Sequence, residues 1–310
     1  NNTASGVYSL CSNTTGYSNT ANGTYALYSN TTGSSNCALG DFSLYSNTTG
    51  DYNTGIGRLS LRKNSTGISN TAVGYFSLYY NETGDNNVAV GKYSLESIKG
   101  NYNTGIGYNA GSKDEYSYCT FLGSYANGSY ASLSYSTALG YNAYINSNSI
   151  VRIGHTSISS IGGHKSWTNL SDARFKYDVK ENVPGMEFIS KLRPVTFKRD
   201  IRKLNDFLNI PDSTLDEQEM QKSIENESNL ECTGFIAQEV EEAAKSAGYN
   251  FSGVDKPGNE NDHYGLRYAE FVVPLVKTVQ PQQEIIKDQN QKIEELEANY
   301  NELKEMIKNK

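Results

Sequence analysis

A serine and a lysine five residues apart form the sharpest chemical signal in this sequence. They are Ser171 and Lys176, the first and last residues of the motif S-D-x-R-x-K. A serine hydroxyl is a weak nucleophile until a base takes its proton, and a lysine becomes that base when desolvation lowers its pKa. The pair therefore predicts a Ser-Lys dyad. The spacing alone arises by chance in many proteins, so its meaning depends on the elements around it.

The motif lies where the composition of the chain changes. Residues 1–170 contain 8 basic and 7 acidic residues and 19 of the 24 tyrosines, whereas residues 171–310 contain 19 basic and 27 acidic residues. A chain of 310 residues has room for about two domains. We therefore predict one domain over residues 1–170 and a second over residues 171–310.

The composition also argues against several classes of function. Residues 1–170 lack the clustered Lys and Arg of a phosphate-binding surface, so we expect no nucleic-acid partner. The apolar runs are only a few residues long, whereas a membrane span needs about 18, so we expect no membrane insertion. The four cysteines and three histidines are scattered without metal-ligand spacing, which predicts free thiols, no metal and no cofactor. Because the chain begins within a repeat, at Asn1, we expect it to be part of a longer protein.

A repeat of 17 residues organises the first domain. Blocks equivalent to residues 2–6 recur every 17 residues as far as Asn87, and again at Asn103 after one shorter block. The recurrent glycines predict tight turns, and the alternating residues between them predict short, half-buried strands. One block cannot bury its leucine, but stacked coils line the leucines into a ladder. We therefore predict a β-solenoid with these core leucines: Leu10, Leu27, Leu44, Leu61, Leu78 and Leu95.

Two features of the repeat have alternative interpretations. The Asn-x-Ser/Thr sequences are either N-glycosylation acceptors or turns in which Asn and Thr side chains bond the backbone, and we favour the turns. Among them are those that begin at Asn13, Asn30, Asn47, Asn64 and Asn81. The tyrosine-rich surface is either a carbohydrate-binding face or a set of ladders and trimer seams, and we favour the second.

The repeats carry a first family resemblance. The N-T-A-x-G blocks, with the A-x-G-Y-x-A signatures of residues 120–126 and 137–143, resemble the left-handed parallel β-roll of YadA-type trimeric adhesin heads and related phage fibres. The resemblance covers most of residues 1–155. It implies a trimeric β-solenoid and leaves the ligand open, because such heads bind different partners through variable surfaces.

The second domain carries another resemblance. Its motifs are V-P-G at residues 183–185, R-P-V-T-F at 193–197, T-G-F-I-A-Q-E-V at 233–240 and Y-G-L-R-Y-A-E-F at 264–271. Together with the S-D-x-R-x-K motif they resemble the C-terminal intramolecular chaperone of endosialidase tail spikes and of many phage and bacterial fibres, over essentially all of residues 171–310. That family trimerises through its C-terminal helices, templates the folding of the fibre ahead of it and then cuts itself off.

The resemblance assigns roles to residues of this chain. It makes Ser171 the nucleophile and Lys176 the general base, with cleavage at the Leu170–Ser171 bond. Asp172 and Arg174 also match the motif, and we expect them to support the site by positional ion pairing. The residues that follow, from Phe175 to Lys180, alternate apolar and charged side chains as a strand would, so Ser171 has to lie at a bend to reach Lys176.

A heptad pattern runs from Val272 to Ile307 and predicts a C-terminal helix and coiled coil over residues 268–310. Gln282 and Gln289 occupy polar positions of the seam that suggest control of register, and Pro281 predicts a break into two helical segments. We assign trimerisation to the apolar seam positions Val272, Leu275, Val279, Ile286, Ile293, Leu296, Leu303 and Ile307.

We interpret the polar region 202–231 as an insertion of short helices, with a helix-start signal at Pro211.

The sequence thus predicts a mainly β solenoid, a trimeric parallel β-roll, followed by an α+β chaperone domain that ends in a trimeric coiled coil. The leading hypothesis is a homotrimeric fibre of a virion tail or bacterial surface, with a cell-surface receptor or glycan bound through the shaft and with self-cleavage as its one enzymatic step. The alternative is a non-cleaving trimeric adhesin or tail fibre with a permanent clamp. A glycan-degrading fibre ranks last because it needs paired carboxylates, and the few acids of residues 1–170 are dispersed.

Overall fold

The computed structural model describes residues 1–113, 115–129, 132–164, 167–210 and 218–308. The chain forms two compact units. The first comprises Asn1–Gly162, Arg199–Leu230 and Gly258–Asp262, and the second comprises Gly163–Lys198, Glu231–Pro257 and His263–Lys310.

The first unit is built on a parallel β-solenoid, which confirms the predicted fold class of the repeats. In the part of the chain that the structure describes, ten three-residue strands pair side by side, in chain order and in register. They are β1 (Thr3–Ser5), β2 (Thr20–Asn22), β3 (Cys37–Leu39), β4 (Thr54–Ile56), β5 (Thr71–Val73), β6 (Val88–Val90), β7 (Thr104–Ile106), β8 (Thr120–Leu122), β10 (Thr137–Leu139) and β12 (Val151–Ile153). Two further strands, β9 (Asn127–Gly128) and β11 (Tyr144–Ile145), pair in parallel with each other in the last coils.

The predicted leucine ladder forms the core of the solenoid. Leu27, Leu44, Leu61, Leu78 and Leu95 are fully buried, and Leu10 of the first coil is half-buried. Each buried leucine stabilises the fold by about 1.5–3 kcal/mol relative to an exposed one. These leucines adopt φ values near +50°, a left-handed conformation that is uncommon for residues other than glycine. The stacking of adjacent coils therefore has to hold each leucine in place against an unfavourable backbone conformation.

A second ladder is formed by the asparagines of the Asn-x-Ser/Thr sequences. Asn64 Nδ2 donates to Asn47 Oδ1 of the preceding coil at 2.9 Å and to Gly67 O of its own turn at 3.0 Å, and Asn81 repeats this pattern on Asn64. Asn30, Asn47, Asn64 and Asn81 are fully buried. The structure therefore favours the turn interpretation of these sequences over glycan attachment. The ladder ends at Asn81, whose Oδ1 has no partner, because the next coil has Ile98 at the equivalent position.

The rest of the first unit is helical. Two helices, α2 (Ile201–Phe207) and α3 (Gln218–Asn229), lie in the segment predicted to be an insertion of short helices. Apolar side chains of these helices and of the residues that follow α2 form one buried cluster with a tyrosine of β11, comprising Tyr144, Ile201, Leu208, Ile210 and Ile224. The helix-start signal at Pro211 lies outside the described residues.

The second unit mixes helices with short antiparallel strand pairs, as predicted for an α+β domain. Its elements are α1 (Met186–Ile189), β13 (Val195–Phe197), β14 (Cys232–Gly234), α4 (Ala237–Ser246), β15 (Val254–Asp255), β16 (Gly265–Leu266) and α5 (Val272–Lys308). β13 pairs with β14, and β15 pairs with β16. The buried core of this unit comprises Phe188, Val240, Ala243, Ala244, Phe251 and Phe271.

Helix α5 continues through Pro281, so the predicted division into two helical segments does not occur. A proline inside a helix deprives the carbonyl four residues earlier of its amide donor, here that of Lys277. Gly185 packs against this carbonyl so closely that a Cβ atom on it would lie 2.8 Å from Lys277 O. The turn of α5 that Pro281 weakens therefore packs against Gly185, the residue that precedes α1. Within the described residues, no helix combines the length and the apolar character that crossing a membrane requires.

The asparagine ladder makes a prediction about stability. Replacing Asn64 with alanine removes hydrogen bonds to both neighbouring coils: the buried Asn47 Oδ1 loses the donor Asn64 Nδ2, and Asn81 Nδ2 loses one of its two acceptors. We expect Asn64→Ala to lower the free energy of unfolding by about 1–3 kcal/mol, the cost of unsatisfied buried polar groups. Urea denaturation followed by circular dichroism measures this, with Thr66→Ala, an exposed position of the same coil, as the control. Equal stability of the two variants would contradict a stabilising role for the ladder.

Candidate functional site

A single turn of 3₁₀ helix, Ala173–Phe175, shapes the S-D-x-R-x-K motif. Asp172 caps this turn, since its carboxylate accepts a hydrogen bond from Arg174 N at 2.9 Å. Lys176 N closes the turn by donating to Ala173 O at 3.1 Å. The strand pattern predicted for the following residues is wrong, because among the described residues this segment forms no strand. The bend that Ser171 was expected to need is this turn.

The turn brings the two predicted dyad residues together. Lys176 Nζ donates a hydrogen bond to Ser171 Oγ at 2.8 Å. This distance lies within the reach required of a general base and its nucleophile. Both side chains are exposed to solvent. The local sequence therefore brings the two groups into contact without help from distant elements.

Asp172 and Arg174 form an ion pair beside the dyad. The guanidinium approaches the carboxylate through Nη2 at 2.6 Å and through Nε at 3.0 Å. These hydrogen bonds from Arg174 hold the pKa of Asp172 below its ordinary value. Because the Arg174 side chain is 80% exposed, the pair contributes little to stability. Its effect is to hold the turn that joins Ser171 to Lys176.

Large apolar side chains flank the dyad in the sequence and are exposed. Trp167 is 87% exposed, Leu170 80%, Phe175 67%, Tyr177 93% and Val179 79%. Exposed apolar side chains at this density are typical of a surface that another chain covers. A lysine acts as a base only after desolvation, and the described residues of the single chain leave Lys176 open to water. The geometry of the dyad is thus present, whereas its dry environment is not.

The S-D-x-R-x-K motif begins at the residue where a match to a protein family begins. Residues 171–249 match the family model described as chaperone of endosialidase. This confirms the expected endosialidase-type chaperone over residues 171–249, and the match begins at Ser171 itself. The matched region contains the helices α1, α2, α3 and α4 and the strands β13 and β14. Comparison with the curated proteins and with the solved structures found no match to the chain.

The residues assigned to trimerisation lie on α5, downstream of the matched region. All eight are exposed, from 43% for Leu275 to 73% for Ile307. A helix of 37 residues with an exposed apolar seam needs packing from elsewhere, because most helical stability in proteins comes from burial of an apolar face. The single chain leaves this seam available for other copies.

A charged network in the chaperone domain was not predicted from the sequence. The Glu241 carboxylate on α4 contacts Lys245 Nζ at 2.6 Å and Lys256 Nζ at 2.8 Å, and it accepts a hydrogen bond from the Tyr264 hydroxyl at 3.0 Å. These donors lower the pKa of Glu241 to about 2. Only the i, i+4 spacing to Lys245 was visible in the sequence. Among the described residues, no three His, Cys, Asp or Glu side chains cluster as a metal site.

The Glu241 network predicts an acid-sensitive chaperone domain. A carboxyl with a lowered folded-state pKa stabilises the fold above its ordinary value of about 4.5 and loses this contribution as the pH falls toward about 2. We expect Glu241→Gln to lower the urea midpoint at pH 7 and to show a smaller further loss between pH 5 and pH 3 than the wild type. Glu242→Gln, an exposed neighbour on the same helix, should behave as the wild type. Parallel pH profiles for Glu241→Gln and wild type would contradict the assignment.

Proposed function

We propose that this chain is the C-terminal part of a homotrimeric fibre or adhesin whose C-terminal domain, residues 171–310, drives trimerisation and folding of the β-solenoid and then releases itself by autoproteolysis. The observation that carries the proposal is the chaperone of endosialidase match that begins at Ser171, after a parallel β-solenoid. Such a domain after such a shaft supports a chaperone role in a fibre or tail spike. We further propose that the fibre belongs to a virion tail or a cell surface and that the solenoid faces its receptor.

The solenoid has a physical need for a template. Its strands are only three residues long and nearly interchangeable, for example Thr54-Gly55-Ile56 and Thr71-Ala72-Val73. Pairing shifted by a whole coil would satisfy almost the same hydrogen bonds, so the repeat by itself specifies register weakly. Parallel pairing is also slow and leaves unpaired edges that aggregate. An assembled C-terminal domain would align three chains at one end, and coils would then add from there.

The assembly step is assigned to α5. In a trimeric coiled coil the exposed seam of each copy would insert between residues of the other two. Gln282 and Gln289 are polar seam positions, which favour one register over shifted ones at some expense of stability. The seam would thereby provide the alignment that the repeats lack.

The cleavage step is assigned to Ser171 and Lys176. The Ser171 hydroxyl gives its proton to a neutral Lys176 amine, and Oγ adds to the Leu170 carbonyl carbon. The Leu170–Ser171 C–N bond then breaks as the protonated lysine returns the proton to the leaving nitrogen, which leaves an ester between the Leu170 acyl group and Ser171 Oγ. Water hydrolyses this ester and yields a Leu170 carboxylate and a chain that begins at Ser171.

Assembly would also time the cleavage. Lys176 must be neutral to accept the serine proton, and in the single chain it is exposed and donates to Ser171 instead. Covering the neighbouring Trp167, Phe175 and Tyr177 with other copies in a trimer would remove water from the dyad and lower the lysine pKa. Cleavage would then follow folding. The exposure of Lys176 in the single chain favours the second candidate, a permanent clamp that never cuts.

Autoproteolysis is tested with three variants of the dyad region. We expect wild-type protein to release a fragment that starts at Ser171, and Ser171→Ala and Lys176→Ala each to slow this at least about 100-fold, as loss of a nucleophile or base does. Lys180→Ala, an exposed lysine in the same segment, should cut as the wild type does. Denaturing gels and intact mass measure the products. A wild-type trimer that stays uncut for days, or a Ser171→Ala variant that is cut, would leave only the clamp function.

Trimerisation is tested by placing charges in the seam. We expect Ile293→Asp with Leu296→Asp to prevent soluble trimers, because unpaired charges in a coiled-coil core are costly. Gln291→Asp with Ala298→Asp adds the same charge at outward heptad positions and should leave the trimer intact. Light scattering gives the mass of each. A stable wild-type monomer at micromolar concentration would rule out the trimeric fibre.

A further inference from the structure

The first compact unit contains chain from both sides of the proposed cleavage site. It joins the solenoid, within Asn1–Gly162, to the two later segments Arg199–Leu230 and Gly258–Asp262. The Leu170–Ser171 bond lies between the solenoid and these later segments along the chain. A cut at this bond would remove the covalent link and leave every contact within the unit in place. These contacts therefore decide whether the two products separate.

Helices α2 and α3 contact the residues that follow β12. Thr156 Oγ1 donates a hydrogen bond to Asn205 Oδ1 of α2 at 2.5 Å. Ser223 Oγ of α3 lies 3.1 Å from both the carbonyl oxygen and the hydroxyl oxygen of Ser157. Asn205 is only 1% exposed and Ser157 only 7%. Because water has little access to these groups, the hydrogen bonds between solenoid and helices face little competition from solvent.

A second set of contacts joins the last coils to the third segment of the unit. Asn146, which directly follows β11, donates from Nδ2 to Asn261 O at 2.7 Å, and its own carbonyl accepts from Asn259 Nδ2 at 3.3 Å. Arg152 of β12 lies 3.9 Å from a carboxylate oxygen of Asp262. The end of the solenoid is thus held at two places by residues that would belong to the other cleavage product.

The interface is polar rather than apolar. In the buried cluster around α2 and α3, the solenoid contributes Tyr144, and the other described members come from the helices and the residues after α2. Asn146 Oδ1 and Asn205 Nδ2 are buried without a hydrogen-bond partner among the described residues. Each such atom loses its hydration without a compensating bond. Polar interfaces of this kind are typical of contacts that form and separate.

We infer that the end of the solenoid, around Tyr144, Asn146 and residues 155–157, is a docking surface for the chain's own C-terminal product, residues 171–310. This product stays bound after self-cleavage and leaves in a later, reversible step. The inference rests on the proposed function and adds to it that cutting the chain and releasing the chaperone domain are different events.

Three copies of this interface would act together in the proposed trimer. The seam of α5 would join the three C-terminal products, so a copy that dissociates from its solenoid remains tethered by the other two. The tether keeps its effective concentration high, and it rebinds before the assembly can leave. An interface that is weak in one copy therefore holds the cut trimer together for long times.

The test compares two full-length proteins that are cut in different ways. One is the wild type, which is expected to cut itself. The other is Ser171→Ala with the recognition sequence of a site-specific protease inserted after Asn169, an exposed residue. Size-exclusion chromatography at micromolar concentration follows the cut. We expect residues 171–310 to elute together with residues 1–170 in both proteins, and the rate of separation is then measured after dilution.

Variants of both sets of contacts identify the interface. We expect Asn146→Ala with Ser223→Ala to separate at least about 10-fold faster than the wild type, because several buried hydrogen bonds are lost. Thr156→Val keeps the side-chain shape, loses the hydrogen bond to Asn205 and should also separate faster. Ser149→Ala with Asn226→Ala makes the same two kinds of change at exposed positions and should separate as the wild type does.

Two outcomes would overturn the inference. One is that the products separate during the first chromatography of either cut protein. The other is that the interface variants keep the wild-type circular dichroism spectrum and separate no faster than the wild type. A wild-type protein that fails to cut itself counts against the proposed autoproteolysis alone, because the protease-cut protein still shows whether the products remain bound.

Discussion

The structure depends on the fact that no coil of the solenoid is complete without the next. Each leucine of the ladder is held in a left-handed conformation, and the amide of each of Asn30, Asn47, Asn64 and Asn81 finds an acceptor on the adjacent coil. The hydrogen bonds, the apolar burial and the backbone conformation are thus satisfied together or not at all. A stack of such coils is stable once it has formed, but its folding is difficult to nucleate because the first coil has no neighbour to pack on.

This constraint explains why a chaperone domain belongs after such a shaft. The second unit builds a core of its own from aromatic and aliphatic side chains, around Phe188 and Phe271, and it has local helices. In the proposed function this unit folds before the coils do. Helix α5 leaves its apolar seam exposed, and the segment around the dyad leaves Phe175 and Tyr177 exposed. Both surfaces are suited to contacts with other copies of the chain.

The candidate dyad separates two requirements of catalysis that are often met together. A short turn, capped by Asp172 and held by its ion pair with Arg174, satisfies the geometric requirement within six residues. The electrostatic requirement, a desolvated lysine, is left to surroundings that one chain does not provide. Under the proposed function this separation protects the Leu170–Ser171 bond during synthesis and folding, because an early cut would detach the proposed template before the shaft had formed.

The sequence by itself determined the features that repeat or act locally. The period of 17 residues, the leucine column and the heptad seam are readable without coordinates because each follows from spacing along the chain. The chaperone motifs and the Ser171–Lys176 pair are readable through the family resemblance that they carry. The turn chemistry of Asn47 and Asn64 was favoured on the same grounds.

Only the tertiary structure decided what depends on distant segments. It brings α3 to the last coils, where Ser223 contacts Ser157, and it gathers Lys256 and Tyr264 around Glu241. It also carries α5 through Pro281 and leaves residues 175–180 without a partner strand. The periodicity of a segment shows which of its own faces is apolar. These contacts depend in addition on a second segment, distant in the chain, and on which of its faces packs against the first.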